Sequence, residues 1–505
     1  MRLGIDFGTT RSVVAVVDRG NYPVVSFRMD DGELLEWFPS LIAQRKGVWK
    51  YGLDALAVVD KPGWAKACCF KRMLGDLHPD DPVAVGDATM SALEMVTNYL
   101  ASLLLAVKKR GNVTLRRNEE LEVFCAVPAD ANNNQRFLTM EAFKRAGFKV
   151  RGLVNEPAAA GIEFAHALGA ARKQGKQVIY DLGGGTFDAA VIGMGEAVHE
   201  TLSNEGLGRF GAMDFDRVMA EMALEKAGIE QELTAEQHMQ LLAECRERKE
   251  GLHANTRKLA IDMSRALPGA DPVIFDVAEF YDRCKPLIDQ TIATVNRAVE
   301  VQAHGKDEPW EQIANVYVVG GGAQMPAVMR QLRDTYGRKV RKSAYPHAAI
   351  AIGLAIAADG EMGYSLQERF TRYFGVWRER DGGASIAFDP IFSRGTLLPS
   401  AGEGEVLYRR NYRPTHNIGH FRYLECGSIN EQHEPDGDIT PWETVLFPFK
   451  PELEGQDLSG IPIKRSNTAT TQSIEEVYRC DARGVVKVTI KNQTSGYKQS
   501  FVLRP

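Results

Sequence analysis

Two stretches of this chain set a carboxylate beside glycines and threonines in the same way. Arg2 to Asp6 reads as an apolar strand, Gly8-Thr9-Thr10 as a tight turn, and Ser12 to Asp18 as a returning β-branched strand. The pattern recurs far downstream: Gln177 to Asp181 is a strand, Leu182-Gly183-Gly184-Gly185-Thr186 a turn, and Phe187 to Ile192 the return. In each copy an acid stands at a strand end, ahead of glycines whose missing side chains let backbone N–H groups approach an anion closely. That arrangement suits a polyphosphate with a divalent cation beside it. Mg²⁺ bridges phosphate oxygens and keeps several waters, which Asp6 and Asp181 could hold by hydrogen bonds. One such hairpin alone is most often just a turn, because Asp, Gly and Thr are ordinary turn formers. Two at corresponding places argue for two similar lobes facing each other across a nucleotide.

A third glycine cluster, Gly320-Gly321-Gly322, follows the apolar run Ile313 to Val319 and precedes Pro326, which opens a helical pattern through Arg330 and Leu332. Strand, glycine turn and helix start together suit an anion or a ribose close to the backbone. Alone the cluster is equally compatible with tight packing in an α/β unit. Thr234, with Gln237 three residues on, has the spacing of a capping box and predicts a helix running through Leu241, Leu242 and Cys245 toward Leu252.

These elements need room, and the chain has it. At 505 residues it exceeds what one hydrophobic core usually holds, and 44% hydrophobic with 25% charged residues is ordinary globular composition. A net charge of -5 argues against a nucleic-acid partner, which calls for a basic excess. The seven cysteines show no CxxC spacing, which fits free thiols in a reducing compartment. The adjacent pair Cys68 and Cys69 reads either as idle thiols or as a redox-active pair. The N-terminus runs straight into the first strand with no signal-peptide pattern, and the most apolar helical stretch, Met95 to Val107, is too short to span a bilayer. A cytoplasmic location with no membrane partner is the expectation.

The order of motifs resembles the Hsp70 (DnaK-like) chaperone family, within the superfamily of actin and sugar kinases. The residues that carry the resemblance are Ile5-Asp6-Phe7-Gly8-Thr9-Thr10, Phe70-Lys71-Arg72-Met73-Leu74-Gly75, Ala126-Val127-Pro128-Ala129 and Asn134-Gln135-Arg136. After them come Asn155-Glu156-Pro157-Ala158-Ala159-Ala160, Asp181-Leu182-Gly183-Gly184-Gly185-Thr186-Phe187-Asp188, Val319-Gly320-Gly321-Gly322 and Pro346 to Gly353. The resemblance implies an α/β actin-like (ribonuclease H-like) two-lobed ATPase domain over 1–358, a linker over 359–373, and an all-β sandwich domain over 374–505 that binds peptide. It implies ATP or ADP with Mg²⁺ as ligands. Lys71, Glu156, Asp181, Thr186 and Asp188 are then the catalytic set, with Asp6 and Asp181 holding the metal through water. Gly8, Thr9, Thr10, Arg11, Gly183, Gly184, Gly185, Thr186, Gly211, Lys249, Gly320, Gly321 and Gly322 are the nucleotide contacts. Without the resemblance, Lys71 in the step Phe70-Lys71-Arg72 reads as a surface lysine. The implied partners are client polypeptides or a dedicated partner protein, and the resemblance allows a J-domain co-chaperone.

Three departures qualify the likeness. On the helix that faces adenosine in the family, Arg246, Lys249, Glu250 and His253 stand where a glutamate, a lysine, an arginine and a serine are usual, and Gln324 replaces a second arginine. A planar cation stacks on a purine and a carboxylate does not, so weaker or less adenine-selective binding is expected. Arg246 either substitutes at the base or pairs with Glu250 at i,i+4. The linker lacks the family's run of leucines. The chain ends at Pro505 after the strand Gln499 to Leu503, where the family's helical lid would follow, so a lidless member with fast peptide exchange is expected. In the C-terminal domain, Ser385 to Phe388 and His420 to Leu424 are the expected groove strands. Phe388 and Phe421 are more in keeping with core, and Asn430 to Trp442 is a polar, insertion-like segment. The competing reading is a nucleotide-gated adaptor or exchange-factor-like protein with negligible turnover.

Overall fold

The structure, a computed structural model, describes residues 1–503 except 117, 170–174, 196–197, 304–308, 361–364, 381–384, 400–403 and 483. The linker positions 361–364, Arg483 and the last two residues therefore lie outside the described residues. The described chain divides into two compact units. The first comprises Met1–Leu74, Pro79–Asp130 and Leu138–Tyr364; the second gathers Gly75–His78 and Ala131–Phe137 with Ser365–Pro505.

In the first unit the strands are β1 (Arg2–Asp6), β2 (Arg11–Val16), β3 (Phe38–Pro39), β4 (Ala65–Cys68), β5 (Glu122–Val127) and β6 (Lys149–Asn155). They continue with β7 (Gly175–Leu182), β8 (Phe187–Met194), β9 (Val198–Leu207), β10 (Ile313–Val319) and β11 (Val340–Lys342). One sheet runs β6-β5-β1-β2-β3; another runs, within this unit, β11-β10-β7-β8-β9. Each is built on one of the repeated hairpins. In the first, Asp6 pairs with Val13; in the second, Asp181 pairs with Asp188 and Leu182 with Phe187. Parallel neighbours flank both central strands, β5 beside β1 and β10 beside β7. The middles of β1 and β7, Leu3 to Ile5 and Val178 to Tyr180, are buried and carry no charged side chain, while Asp6 and Asp181 stand at or next to the strand ends.

The helices used below are α1 (Ala92–Lys109), α2 (Glu156–Leu168), α3 (Ala212–Ala227), α4 (Ala235–Glu250), α5 (Val277–Ala303), α6 (Pro326–Tyr336) and α7 (Ala349–Ala358). α4 has the expected capping box: Thr234 Oγ1 accepts from Gln237 N–H (3.2 Å) and Gln237 Oε1 from Thr234 N–H (2.9 Å). It stops at Glu250, two residues short of the expected Leu252, because Gly251 caps it. Pro326 starts α6, where its missing N–H is of no consequence. α7 is apolar throughout and correspondingly buried. The core of the second sheet is closed by apolar side chains of α3, α4, α5 and α6. Among the described residues, no helix is long and apolar enough to cross a membrane.

The second unit contains β12 (Tyr373–Arg380), β13 (Ser385–Phe392), β14 (Glu405–Tyr412), β15 (Ile418–Ile429), β16 (Pro435–Pro448), β17 (Ile474–Asp481), β18 (Val486–Asn492) and β19 (Lys498–Val502). These form two antiparallel sheets, β13-β12-β15-β16 and β14-β17-β18-β19. Phe374, Phe421, Trp442 and Phe447 of one sheet share a core with Tyr478, Val486 and Val488 of the other. Phe421 is thus a core residue, and Phe388 is buried in a smaller cluster with Leu424 and Cys426. The segment Asn430 to Trp442 is polar as expected, and from Pro435 on it is the first half of β16, zipped to β15 from Ile429–Pro435 to Ile418–Pro448. Its polarity comes from exposure of nearly every residue from Asp436 to Thr440, so a paired strand there carries no apolar period.

Candidate active site

The turns of the two hairpins meet. A Cβ placed on Gly184 would lie 2.7 Å from the Thr10 side chain, and one on Gly185 would lie 2.6 Å from that of Thr9. Gly320, at the third glycine cluster, has φ of 88°, and a Cβ there would lie 2.3 Å from the Leu182 carbonyl oxygen. Only glycine satisfies both the backbone angle and the clearance. Strand β10 therefore delivers its backbone directly against the end of β7.

Between these turns opens a cavity of about 800 Å³. Its wall includes Asp6, Gly8, Thr9, Thr10 and Arg11 from the first hairpin, and Asp181, Gly183, Gly184 and Thr186 from the second. Lys71, Glu156, Lys249, Gly320, Gly321 and Gly322 complete the expected residues found there. Three others stand behind the wall. Asp188 is buried and accepts the Ala129 N–H at 2.8 Å. Gly185 packs on Thr9 and Arg72, and Gly211, just ahead of α3, packs under the Gly184-Gly185 peptide, with 2.6 Å between a Cβ there and Gly185 N. They shape the turn from below.

Lys71 is 3% exposed, which overturns the surface-lysine reading. It sits on a one-turn helix, Phe70–Met73, entered through Cys69 in the left-handed conformation (φ 63°). Its Nζ donates to Glu156 Oε1 and lies 5.6 Å from the centre of the Phe7 ring. Glu156 is the first residue of α2 and follows directly on β6, so a strand end and a helix start fix it together. Around this pair stand Asp181 and Asp188, both buried, and the half-buried Asp6. Burial, with the charge of Glu156 added, raises Asp6 to about 7, against the lowering pull of Lys71. Asp181 and Asp188 are raised well above the usual carboxylate range, chiefly by burial and then by neighbouring acids. Lys71 is held above its ordinary value because Glu156, Asp6 and Asp188 together outweigh its burial. The cluster is short of positive charge.

Charge is arranged otherwise at the opposite end of the cavity. Lys249 Nζ donates to the Ala212 carbonyl and pairs with Asp216, while burial lowers its basicity. Arg246 pairs with Asp216 at 3.5 Å. Glu250 pairs instead with Arg11, whose Nη2 reaches its two oxygens at 2.8 and 2.6 Å. The Arg11 guanidinium also lies 4.6 Å from the centre of the Trp37 ring. Trp37, Asp216, His347 and the two thiols Cys68 and Cys69 line the same cavity and were not expected there. No spacing rule joins positions so far apart; only the adjacent cysteines left a local mark.

The second unit has a polar cluster of another kind. Arg378 donates through Nε to Asp389 (2.6 Å) and through Nη1 to Glu476 (3.0 Å), and Arg410 Nε donates to Asp389 at 3.2 Å. The Tyr478 hydroxyl donates to Glu476 at 2.6 Å. Two guanidinium groups thus face two carboxylates.

A family model described as Hsp70 protein matches residues 2–368. The chain is similar to the chaperone protein HscA homolog of Chromobacterium violaceum, 28% identical over 523 residues covering 100% of this chain and 78% of the relative. It is also similar to the chaperone protein HscA homolog of Methylibium petroleiphilum, 27% identical over 518 residues with the same shares covered. The chaperone protein HscA of Proteus mirabilis is 31% identical over 519 residues, covering 99% of this chain and 78% of that one. A family match over most of its length, joined to these relatives, means that the chain belongs to the Hsp70 family.

Proposed function

We propose that this protein is an ATP-binding and ATP-hydrolysing chaperone that holds extended segments of client polypeptides. Residues 1–358 act as an actin-like, two-lobed ATPase, 359–373 as a linker and 374–505 as a peptide-binding β-sandwich. The observation that carries the reading is the meeting of the two hairpin turns over a buried acid cluster that is short of positive charge. Hydrolysis of a terminal phosphate needs a positioned water and neutralisation of the transferring group, with little covalent help. Gly8, Gly183 and Gly184 offer backbone N–H groups to phosphate oxygens, and Thr9, Thr10 and Thr186 offer hydroxyls. Lys71, anchored by Glu156, brings an ammonium to the terminal phosphate and orients the attacking water. Lys249 and Gly320 to Gly322 line the nucleoside side.

The residues fit Mg²⁺ bound through its own waters. Among the described residues, no three His, Cys, Asp or Glu side chains are grouped to ligate a metal directly. Asp6 and Asp181, raised by burial among other acids, gain most from a hydrated dication nearby. Bound Mg²⁺ would neutralise charge on the phosphates. The relatives named as HscA chaperones support the chaperone part of the reading; a J-domain co-chaperone as partner and a cytoplasmic location belong to the same proposal.

One observation favours a second reading, an adaptor gated by nucleotide with negligible turnover: Glu250, in place of a base-stacking arginine, is occupied by Arg11 at the cavity mouth. Single-turnover ATP hydrolysis, with and without an extended hydrophobic peptide, in the native protein and Lys71→Ala, separates the two. Peptide-stimulated turnover that the variant loses is the chaperone's result. Nucleotide binding without turnover in either protein would replace it with the adaptor.

A further inference from the structure

We propose that copies of this chain associate with one another through charge, the basic face formed by α6 and β11 of one copy docking on the acidic ribbon formed by β15 and β16 of another.

The basic face is made locally. From Pro326 to Lys342 the chain carries Arg330, Arg333, Arg338, Lys339, Arg341 and Lys342 against one acid, Asp334. α6 turns Val328, Met329 and Leu332 into the core, which sends Arg330 and Arg333 outward. A one-turn helix, Gly337–Lys339, and β11 follow, and Arg338, Arg341 and Lys342 are exposed there. Lys339 is engaged, donating to the Trp310 carbonyl and lying 5.9 Å from the centre of that ring. Arg341 Nε reaches Asn315 Oδ1 at 3.4 Å. Among the described residues, none of these five arginines and lysines other than Lys339 has a carboxylate partner. Helices of the same unit pair their cations: Lys226 with Glu279, Arg283 with Glu225 and Lys285 with Asp289.

The acidic ribbon is the reverse. β12 stops pairing with β15 at Cys426, while β15 and β16 run on together to the pair Ile429–Pro435. From Glu431 to Glu443 the ribbon carries Glu431, Glu434, Asp436, Asp438 and Glu443, all exposed, and no Lys or Arg. Asp438 accepts from Arg372 at 3.0 Å. The other four have no ion pair among the described residues. A net charge of -5 conceals this division into two faces of opposite sign.

Three features make a second copy the occupant. Unpaired faces of opposite sign steer two bodies together and fix which surfaces meet. Each face also holds an exposed apolar side chain among its charges: Tyr345, 59% exposed, three residues past Lys342, and Ile439, 45% exposed, within β16. Finally, β11 and β16 are both outermost strands of their sheets. Cations along β11 repel a second β11 and acids along β16 repel a second β16, so like edges are kept apart while unlike edges are admitted. Each copy brings one of each face, so the complementary surface is always present at the concentration of the protein itself. The contact is heterologous, made once per copy in an open series and twice in a two-fold pair.

Sedimentation velocity of the full chain at ~0.05 and ~0.5 M salt tests this. Two reversals accompany the native protein, Arg330→Glu with Arg333→Glu and Glu431→Lys with Glu434→Lys. The native chain should associate at low salt, with an association constant about tenfold or more lower at high salt. Each reversed protein should be monomeric alone, and an equal mixture of the two should associate again, because each supplies the face that the other has lost. Recovery on mixing also rules out misfolding as the cause, since a misfolded variant rescues nothing. A native chain that stays monomeric at ~100 µM in low salt overturns the proposal. So does association that ignores both reversals, or a mixture that stays monomeric. A monomeric native chain that binds poly-glutamate through Arg330 and Arg333 overturns it in favour of an acidic segment from another protein.

Discussion

The two units bury charge in opposite ways. In the first, Asp6, Asp181, Asp188 and Glu156 gather around the ammonium of Lys71, and the shortage of positive charge shows in acids raised far from their ordinary range. In the second, Arg378 and Arg410 meet Asp389 and Glu476 one for one. Burying an uncompensated charge is expensive, so an unbalanced cluster is complete only when something of opposite charge joins it. A balanced cluster needs nothing further. Charge balance, more than burial, separates a place that awaits a ligand from a brace between two sheets.

The largest expected effect lies in the unbalanced cluster. Lys71→Ala should lower single-turnover hydrolysis about 10²–10³-fold, as loss of one preorganised charge does elsewhere, and native-like turnover would break the contrast. Next is the brace: Glu476→Gln should destabilise the second unit by about 3 kcal/mol in urea unfolding while leaving ADP affinity alone. An unchanged midpoint would show that the network braces nothing. Ligand should act on one unit only. Mg²⁺ with ADP at about 100 times its Kd should add ~2.7 kcal/mol to unfolding of the first unit, and a matching shift in the second would blur the distinction. A smaller change is expected at the cavity mouth. Glu250→Arg, which frees Arg11 and supplies a planar cation, should strengthen ADP binding by about 1 kcal/mol in calorimetry.

The same contrast reaches single thiols. Only the thiolate is alkylated, so the rate at Cys68 should climb with pH and reach half its plateau near 6, where Cys69, Arg246 and Lys66 place it. In the second unit burial pushes Cys426 and Cys480 upward, and both should stay inert at that pH. Mass-resolved labelling across a pH series checks both halves.

How much of this was legible in the residues depends on distance along the chain. The hairpins, the capping box at Thr234 and the start of α6 at Pro326 are local patterns, and they are where the spacing predicts. The family resemblance brought Lys71 and Glu156 into view, but not the physical fact of their burial, which needs β4, β6 and α2 assembled. The Arg11–Glu250 pair spans 239 positions, and nothing near either residue announces the other. Of the two readings open for Arg246 on its helix, pairing with Glu250 gives way to an ion pair with Asp216 on a different helix. The stretch before Trp442 is polar as expected, but its pairing as a strand was not legible, because a ribbon wet on both faces has strand geometry without strand patterning.

The clearance between Gly184 and Thr10, and between Gly185 and Thr9, has one more consequence. These residues belong to different sheets, and their approach leaves no room for even a methyl group. Any spreading of the sheets unmakes the cradle, and anything gripped by both turns draws the sheets together. On the function proposed above, the two loops are the jaws of a caliper: the presence of a phosphate between them would be converted into a distance between the bodies that carry them.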